Sequence, residues 1–224
     1  MFQSAPSIQK QQIVIFDFDG VLTDTMAEML RFSDQVCAEL GYPRRTTPAD
    51  IHALPRMGFD HLGRQLGIPE ELIPQYVQKV LAYFETQPIT YSLFEGMEEV
   101  ILDLANDSVL AIVSGNLQQV IRRFLEKYQI AQYFWRIEGI DQPGNKREKI
   151  QAIRQAVSLS LPTYMIGDAV SDILAAREAG AISIAVSWGH QAREKLLEAH
   201  PDSLADSPQE ILKAIRTNIS SRSL

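Results

Sequence analysis

Cysteine is almost absent from this chain of 224 residues, which contains only Cys37. A single thiol cannot form an internal disulfide or a multi-cysteine zinc site, and such cysteine usage suits a reducing compartment. The spacing of Cys37 with Val36 and Leu40 is typical of the apolar face of a helix. We therefore expect a buried structural thiol rather than a nucleophile.

Long apolar runs are absent as well. No run approaches the length of a membrane-spanning helix. The N-terminal residues 1–12 are polar and rich in glutamine, without the charged start and apolar middle of a secretion signal. These features predict a cytoplasmic protein that does not contact a membrane.

The chain also lacks an excess of positive charge, because 21 lysines and arginines stand against 28 aspartates and glutamates, for a net charge of −7. This balance argues against a nucleic-acid partner, since binding to phosphate backbones needs a basic surface. A negative chain repels small anions at long range. An anionic substrate must then be held by local donors or by a metal ion.

Two common cofactor and metal motifs are missing. No Gly-x-Gly-x-x-Gly segment follows a strand-like run, so a dinucleotide cofactor has no support. The histidines are His52, His61, His190 and His200. They lack the His-Glu-x-x-His spacing of zinc enzymes, and we expect ordinary surface or core histidines.

The chain does contain an alternation of short apolar runs and helical patterns. Its 46% hydrophobic and 22% charged residues are typical of a globular protein. Apolar runs predict strands at residues 13–18, 109–113, 135–137, 163–166 and 182–186. Helical spacing of apolar residues separates them. The alternation predicts an α/β fold, with a mostly parallel sheet covered by helices on both faces.

The stretch from residue 25 to residue 93 breaks this alternation, since it holds helical stripes and no strand-like run. Each stripe needs a partner to bury its apolar face, which predicts a small helical bundle. We expect an inserted helical domain at residues 25–93. Residues 1–24 and 94–224 would then form the α/β core domain.

Carboxylates follow two of the predicted strands. Asp17 and Asp19 end the first, and extended backbone places residues two apart on the same side. Asp168 follows the fourth, and Asp172 falls in the first turn of the next predicted helix. Each has an ordinary alternative as a solvated loop residue or a helix-start residue. Parallel sheets, however, bind ligands at this edge, and buried carboxylates are costly unless paired or metal-bound.

Phosphate-binding groups follow other predicted strands. The segment Ser114-Gly115-Asn116 precedes a predicted helix, whose free N–H groups suit a phosphate oxygen. Taken by itself, however, the segment favours Ser114 or Asn116 as a simple helix N-cap. One lysine of the run 145–149 could reach the same edge. Clustered oxygen ligands suit Mg²⁺, and an aspartate can accept a phosphoryl group. The combination predicts metal-assisted phosphoryl transfer.

These motifs resemble those of the haloacid dehalogenase-like hydrolases over nearly the whole chain. The matching residues are 17–25, 114–116, Lys146, and Gly167-Asp168 through Asp172. The helical insert after the first motif looks most like the phosphoglycolate phosphatase subgroup. The resemblance implies a Rossmann-like core, a mobile cap and Mg²⁺ as cofactor.

The resemblance also implies roles for individual residues. Asp17 matches the nucleophile and a metal ligand. Asp19 matches the general acid and base, whose backbone carbonyl also contacts the metal. Asp168 and Asp172 match further metal positions. Phosphate or substrate binding is implied for Gly20, Ser114, Gly115, Asn116 and Lys146.

Two positions leave alternatives open. Many relatives have proline after the third-motif lysine, where this chain has Arg147, so Lys149 remains a rival to Lys146. We prefer Lys146 because the apolar positions of the following helix then fall at the expected offsets. Arg56 in the insert could reach the substrate when the cap closes, or remain a solvated surface residue.

An acidic residue at position 19 favours phosphate-ester chemistry, because a leaving alcohol needs a proton. We expect a Mg²⁺-dependent phosphatase that hydrolyses a small phosphorylated metabolite, with phosphoglycolate favoured, through an aspartyl phosphate. The alternatives are a cap-bearing sugar phosphomutase, a pyrophosphatase or nucleotidase, and a non-catalytic binding module. The sequence gives no basis for an oligomeric state.

Overall fold

The computed structural model describes the backbone of residues 10–222 and the side chains of residues 10–217. Within this range the strands are β1 (Gln12–Phe16), β2 (Ser108–Val113), β3 (Phe134–Glu138), β4 (Thr163–Gly167), β5 (Ile182–Val186) and β6 (Ser203–Ala205). They form one sheet in the order β3-β2-β1-β4-β5-β6, and every neighbouring pair is parallel. The predicted parallel sheet is confirmed, and β6 is an additional strand.

Helices connect the strands throughout the described residues. They are α1 (Met26–Glu39), α2 (Pro48–His52), α3 (Phe59–Gln65), α4 (Ile73–Thr86), α5 (Met97–Asp107), α6 (Gln118–Lys127), α7 (Lys146–Val157), α8 (Val170–Glu178), α9 (Arg193–Glu198) and α10 (Pro208–Arg222). Single 3-10 turns occur at Glu70–Leu72 and Ala131–Tyr133. In the part of the chain that is described, we find no helix with the length and apolarity needed to span a bilayer.

Strand β1 is the centre of the sheet, and all five of its residues are buried. Val14 and Phe16 pack into one apolar cluster, while Ile13 and Ile15 pack into another, because successive side chains point to opposite faces. Helices α5, α6 and α10 cover the first face, and α7 and α8 cover the second. Helices thus lie on both faces, as predicted.

The strand order positions a crevice at one edge of the sheet. From β1 the chain builds β2 and β3 on one side, and it then returns to place β4 on the other side of β1. Connections that diverge in this way leave a gap beyond the carboxyl ends of the two strands, where α/β proteins bind ligands. Residues that follow β1 and β4 therefore meet in this gap.

Residues 26–86 contribute helices and no strand to the described structure. Helix α4 packs against α1 and α3. The rings of Phe32 on α1 and Phe84 on α4 are in edge-to-face contact, with their centroids 4.9 Å apart. The two strand-like connections to the sheet lie side by side, since the Phe94 N–H donates to the Leu22 carbonyl at 3.0 Å. The division into domains at residues 25 and 93 stays a prediction, and residues 1–9 and 223–224 of the expected core domain lie outside the described residues.

Candidate active site

The end of β1 delivers the first carboxylate. The Asp17 N–H donates to the Ile166 carbonyl at 2.8 Å, which extends the β1–β4 pairing one residue beyond the strand. Asp17 is 8% exposed, and its Oδ1 accepts a hydrogen bond from the Phe18 N–H at 2.7 Å. The adjoining β4 ladder therefore fixes the backbone that carries this side chain.

The end of β4 delivers two more carboxylates. Asp168 follows the strand directly, and Asp172 lies in the first turn of α8, where its Oδ2 accepts from the Ala169 N–H at 3.1 Å. Both residues are 2% exposed. Carboxylate oxygens of Asp17, Asp168 and Asp172 lie within 4.8 Å of one another. Buried hard oxygen donors this close together fit a Mg²⁺ ion.

Lys146, the first residue of α7, reaches into this cluster. Its Nζ lies 2.8 Å from Asp17 Oδ2 and 2.5 Å from Asp172 Oδ1. Burial alone would lower the pKa of Lys146, but the charges of Asp17 and Asp172 outweigh it and hold the pKa well above its ordinary value. The side chain is therefore a fixed cation beside two carboxylates.

Lys149 points elsewhere. It is 6% exposed, and its Nζ donates to the Gly139 carbonyl at 2.7 Å. Burial lowers its pKa. Of the two rival lysines, only Lys146 contacts the carboxylates, which supports the preference made from the sequence.

The segment after β2 lies against Asp19. Asn116 is buried, and its Nδ2 donates to Asp19 Oδ2 at 3.1 Å, while its Oδ1 accepts from the Leu117 N–H at 2.8 Å. Leu117 is the residue that begins α6 as its N-cap. The interpretation of Ser114 or Asn116 as that cap is therefore wrong, and Asn116 instead orients the Asp19 carboxylate.

Ser114 and Gly115 complete this part of the site. Ser114 is buried, and its Oγ accepts from the Asn116 N–H at 3.2 Å. Gly115 is exposed, and nothing lies within 4 Å of the position that a Cβ would occupy. Both residues line the same cavity as Asp17 and Lys146. They are thus placed where a phosphoryl oxygen could be bound.

The carboxylates repel one another. Burial, together with the charge of Asp17, raises the pKa of Asp19 to about 6. Burial also raises the pKa of Asp172, and the charges of Asp17 and Asp168 add to this effect against the opposing charge of Lys146. A cluster whose members resist ionisation is stabilised by an added cation, as expected for a metal site.

His190 belongs to the site, although the sequence predicts an ordinary surface or core histidine at this position. It follows β5 and is 3% exposed. Its backbone N–H donates to Asp168 Oδ2 at 2.6 Å, and its Nδ1 lies 3.2 Å from the same oxygen. Burial alone would lower the pKa of His190, but the charge of Asp168 raises it. The one available signal was its position after an apolar run that ends at the ligand-binding edge.

Gly20 allows the loop after β1 to pass close to these groups. Its φ is +77°, and a Cβ built there would lie 2.0 Å from Asp168 Oδ2 and 2.8 Å from His190 Nδ1. Any side chain at this position would therefore displace Asp168. The contribution of Gly20 to the site is close backbone approach.

A cavity of about 320 Å³ lies over the carboxylates. Asp17, Asp19, Lys146 and Asp168 form its inner end, and residues of the helical insert form its outer wall. Arg56 is exposed and does not line the cavity, so the structure does not bring it together with the other predicted site residues. A larger cavity of about 590 Å³ beside β3 contains none of these carboxylates.

Comparisons with known proteins identify a family for this chain. The model of the haloacid dehalogenase-like hydrolase family matches residues 14–186, which is most of the chain. The match thus defines the chain as a hydrolase by class. The chain belongs to the haloacid dehalogenase-like hydrolase family, which confirms the family resemblance predicted from the sequence.

Individual relatives share about a quarter of their residues with this chain. The phosphoglycolate phosphatase of Synechococcus elongatus is 27% identical over 206 residues, covering 91% of this chain and 97% of that protein. The phosphoglycolate phosphatase of Vibrio cholerae is 26% identical over 219 residues, covering 91% of this chain and 96% of that protein. A haloacid dehalogenase-like family protein from Streptococcus pneumoniae shares the fold, with a TM-score of 0.79 at 23% identity, covering 91% of this chain and 98% of that one.

Proposed function

We propose that this hydrolase is a Mg²⁺-dependent phosphatase that cleaves a small phosphomonoester through an aspartyl phosphate. One observation carries the proposal. The Lys146 ammonium bridges Asp17 and Asp172, beside Asp168, at the inner end of a cavity large enough for a small ligand. Phosphoryl transfer requires a nucleophile and nearby positive charge that stabilises the phosphoryl oxygens. Here Lys146 and the potential metal site both adjoin the Asp17 carboxylate.

Asp17, Asp168 and Asp172 would hold the metal ion, and Asp19 would add its backbone carbonyl. When bound, Mg²⁺ would neutralise negative charge on the phosphoryl group. The donor set of buried carboxylate oxygens fits this ion, and the described residues offer no thiolate or second histidine there.

The chain's own residues supply the remaining chemistry. A carboxylate oxygen of Asp17 attacks phosphorus, and the bond from phosphorus to the leaving oxygen breaks while Asp19 donates a proton to that oxygen. Asp19 then takes a proton from a water molecule, whose oxygen attacks the phosphorus and frees Asp17. A pKa of about 6 suits Asp19 for both steps near neutral pH. Ser114 and Lys146 bind the phosphoryl oxygens throughout.

The helical insert, residues 25–93, acts in this proposal as a cap over the cavity. It would open to admit substrate and close to exclude bulk water, with Arg56 remaining at its surface. Phosphoglycolate is the substrate named for the relatives from Synechococcus and Vibrio, and it is the first compound to test. The cytoplasmic location expected from the sequence also stays part of the proposal.

The test is phosphate release from phosphoglycolate, sugar phosphates, nucleotides and pyrophosphate, with Mg²⁺ or with EDTA. We expect release that needs Mg²⁺ and that Asp17→Asn abolishes. Asp103→Asn is the matched control. Asp103 is exposed on α5, pairs with Arg216 and does not line the cavity. Release that survives Asp17→Asn would overturn the mechanism. Isomerisation of a sugar phosphate without phosphate release, and only in the presence of a sugar bisphosphate, would identify a mutase instead.

A further inference from the structure

The outer wall of the active-site cavity is apolar. The residues that the helical insert contributes to this wall include Met29, Leu54, Met57, Phe59, Leu62 and Val77. They come from α1, from the α2–α3 connection, from α3 and from α4. A phosphomonoester bound with its phosphoryl group at Asp17 would direct its leaving group toward this wall.

Positive charge is confined to the opposite end of the cavity. The basic residues among its lining are Lys146 and His190, and both face carboxylates, of Asp17 and Asp172 and of Asp168 respectively. These groups are engaged with the phosphoryl end of the site. They leave no cation on the outer wall to pair with a charged leaving group.

The charged residue that the insert does contribute is acidic. Asp60 lines the cavity and accepts a hydrogen bond from Arg64 at 2.8 Å. Arg64 does not line the cavity, and it also donates to Glu70 at 2.7 Å. The guanidinium is thus already shared between two carboxylates, and the Asp60 charge would repel an anionic leaving group.

A buried carboxylate without a cationic or hydrogen-bonding partner loses far more hydration energy than it regains, whereas apolar groups gain from burial. We propose that the substrates of this enzyme are phosphomonoesters with an uncharged, predominantly apolar leaving group. This inference rests on the proposed phosphatase function and narrows its substrate class. It sets the chain apart from the named specificity of its relatives, since the leaving group of phosphoglycolate carries a carboxylate.

Isobutyl phosphate and phosphoglycolate form a suitable test pair. Their leaving groups have nearly the same shape, because two methyl groups replace the two carboxylate oxygens, and both leave as primary alcohols. We expect kcat/KM to be about tenfold or more higher for isobutyl phosphate, because a carboxylate loses hydration among the apolar side chains and meets no cation there. An equal or higher value for phosphoglycolate would overturn the proposal.

A variant tests whether the wall itself is responsible. Met57 is only partly buried, so Met57→Arg can place a cation in the wall without disrupting the fold. The ratio of the two kcat/KM values should then shift toward phosphoglycolate by about tenfold or more, while Met57→Leu should retain the wild-type preference. An unchanged ratio in a folded Met57→Arg protein would count against the proposal.

Two further measurements separate the possible failures. Leu159→Arg adds the same charge at a position that is 63% exposed. Leu159 precedes β4 and so lies at the amino ends of the strands, away from the carboxylates. This variant should not change the ratio. If it did, charge in general and not the wall would govern specificity. Absence of Asp17-dependent phosphate release from every compound would defeat the proposed function, whereas efficient release from phosphoglycolate alone would defeat only the substrate class.

Discussion

At the scale of single residues, the two lysines of α7 differ in what their ammonium groups contact. Lys146 bridges Asp17 and Asp172, while Lys149 donates to a backbone carbonyl. We expect Lys146→Ala to lower kcat/KM by about 10²- to 10³-fold, because a preorganised charge aimed at the phosphoryl group is lost. Steady-state hydrolysis of p-nitrophenyl phosphate measures this loss.

Lys149→Ala is the matched comparison on the same helix. It removes a buried hydrogen bond, so it should lower the melting temperature. It leaves the carboxylates and Lys146 in place, so kcat/KM should stay close to the wild-type value. The assignment of Lys146 would be wrong if Lys149→Ala abolished activity with an unchanged melting temperature while Lys146→Ala remained active.

The raised pKa of Asp19 affects stability as well as chemistry. The folded protein holds this proton with a pKa of about 6, against an ordinary value of 3.8. Below about pH 4, Asp19 is largely protonated in both the folded and the unfolded state and leaves the free energy of unfolding unchanged. That free energy falls as the pH rises through 6, by at most about 3 kcal/mol. In EDTA, Asp19→Asn should therefore raise the melting temperature at pH 8 and change it little at pH 4.

Thermal unfolding at both pH values checks this expectation, and Asp103→Asn serves as the exposed control. The control should show no comparable gain at pH 8. A gain from Asp19→Asn that is equal at the two pH values would contradict the explanation by ionisation.

Sequence reasoning found the residues that are tied to strand ends and missed one that is not. Asp17 lies near the end of an apolar run and Asp168 follows close after one, so their place at the sheet edge could be predicted. His190 follows β5 after three intervening residues, Ser187, Trp188 and Gly189, and its contact with Asp168 depends on how β5 lies beside β4. That pairing joins chain segments across a whole helix, which local patterns do not encode.

At the scale of elements, helix α1 buries its apolar stripe and the thiol within it. Cys37 is fully buried, and burial followed by the charge of Asp34 raises its pKa to about 11. Very little thiolate is therefore present at pH 8, and a reagent in solution cannot reach the buried sulfur. We expect reaction with a thiol-specific disulfide reagent to be at least about 100-fold slower in the folded protein than in guanidinium. A fast reaction of the folded protein would contradict the buried position.

Strand boundaries were less predictable than strand positions. The first apolar run predicts a strand through residue 18, but β1 ends at Phe16, where the chain turns toward Gly20. Strand β6 has three residues and is followed by Asp206, so it offers no apolar run to detect. It forms because β5 presents an open edge to it.

At the scale of the whole molecule, the strand order follows from long-range pairing. Strand β1 pairs with β2 and β4, whose residues lie more than 90 positions further along the chain. The alternation of elements predicts a parallel sheet but does not fix which strands are neighbours. The site could still be anticipated, because the carboxyl ends of all parallel strands meet at one edge.

The helical insert is held to the sheet region beside the site. The Lys195 ammonium on α9 donates to the carbonyls of His52 and Leu54, at 2.8 and 3.1 Å. The buried Gln191 side chain also donates to the Leu54 carbonyl, at 3.2 Å. These bonds satisfy backbone carbonyls at and just after the end of α2, including that of Leu54 in the apolar wall. They connect the position of that wall to the sheet region.

Lys195→Met keeps most of the side-chain length and removes both of its hydrogen bonds. We expect faster amide exchange in residues 48–65 and a severalfold lower kcat/KM, because the wall is less well held over the carboxylates. Lys79→Met is the control, since Lys79 pairs with Glu39 within the insert at 2.7 Å, and exchange in residues 48–65 should not change. If Lys195→Met left both exchange and activity at wild-type values, the other contacts, including that of Gln191, would hold the insert by themselves. Its attachment would then not depend on α9.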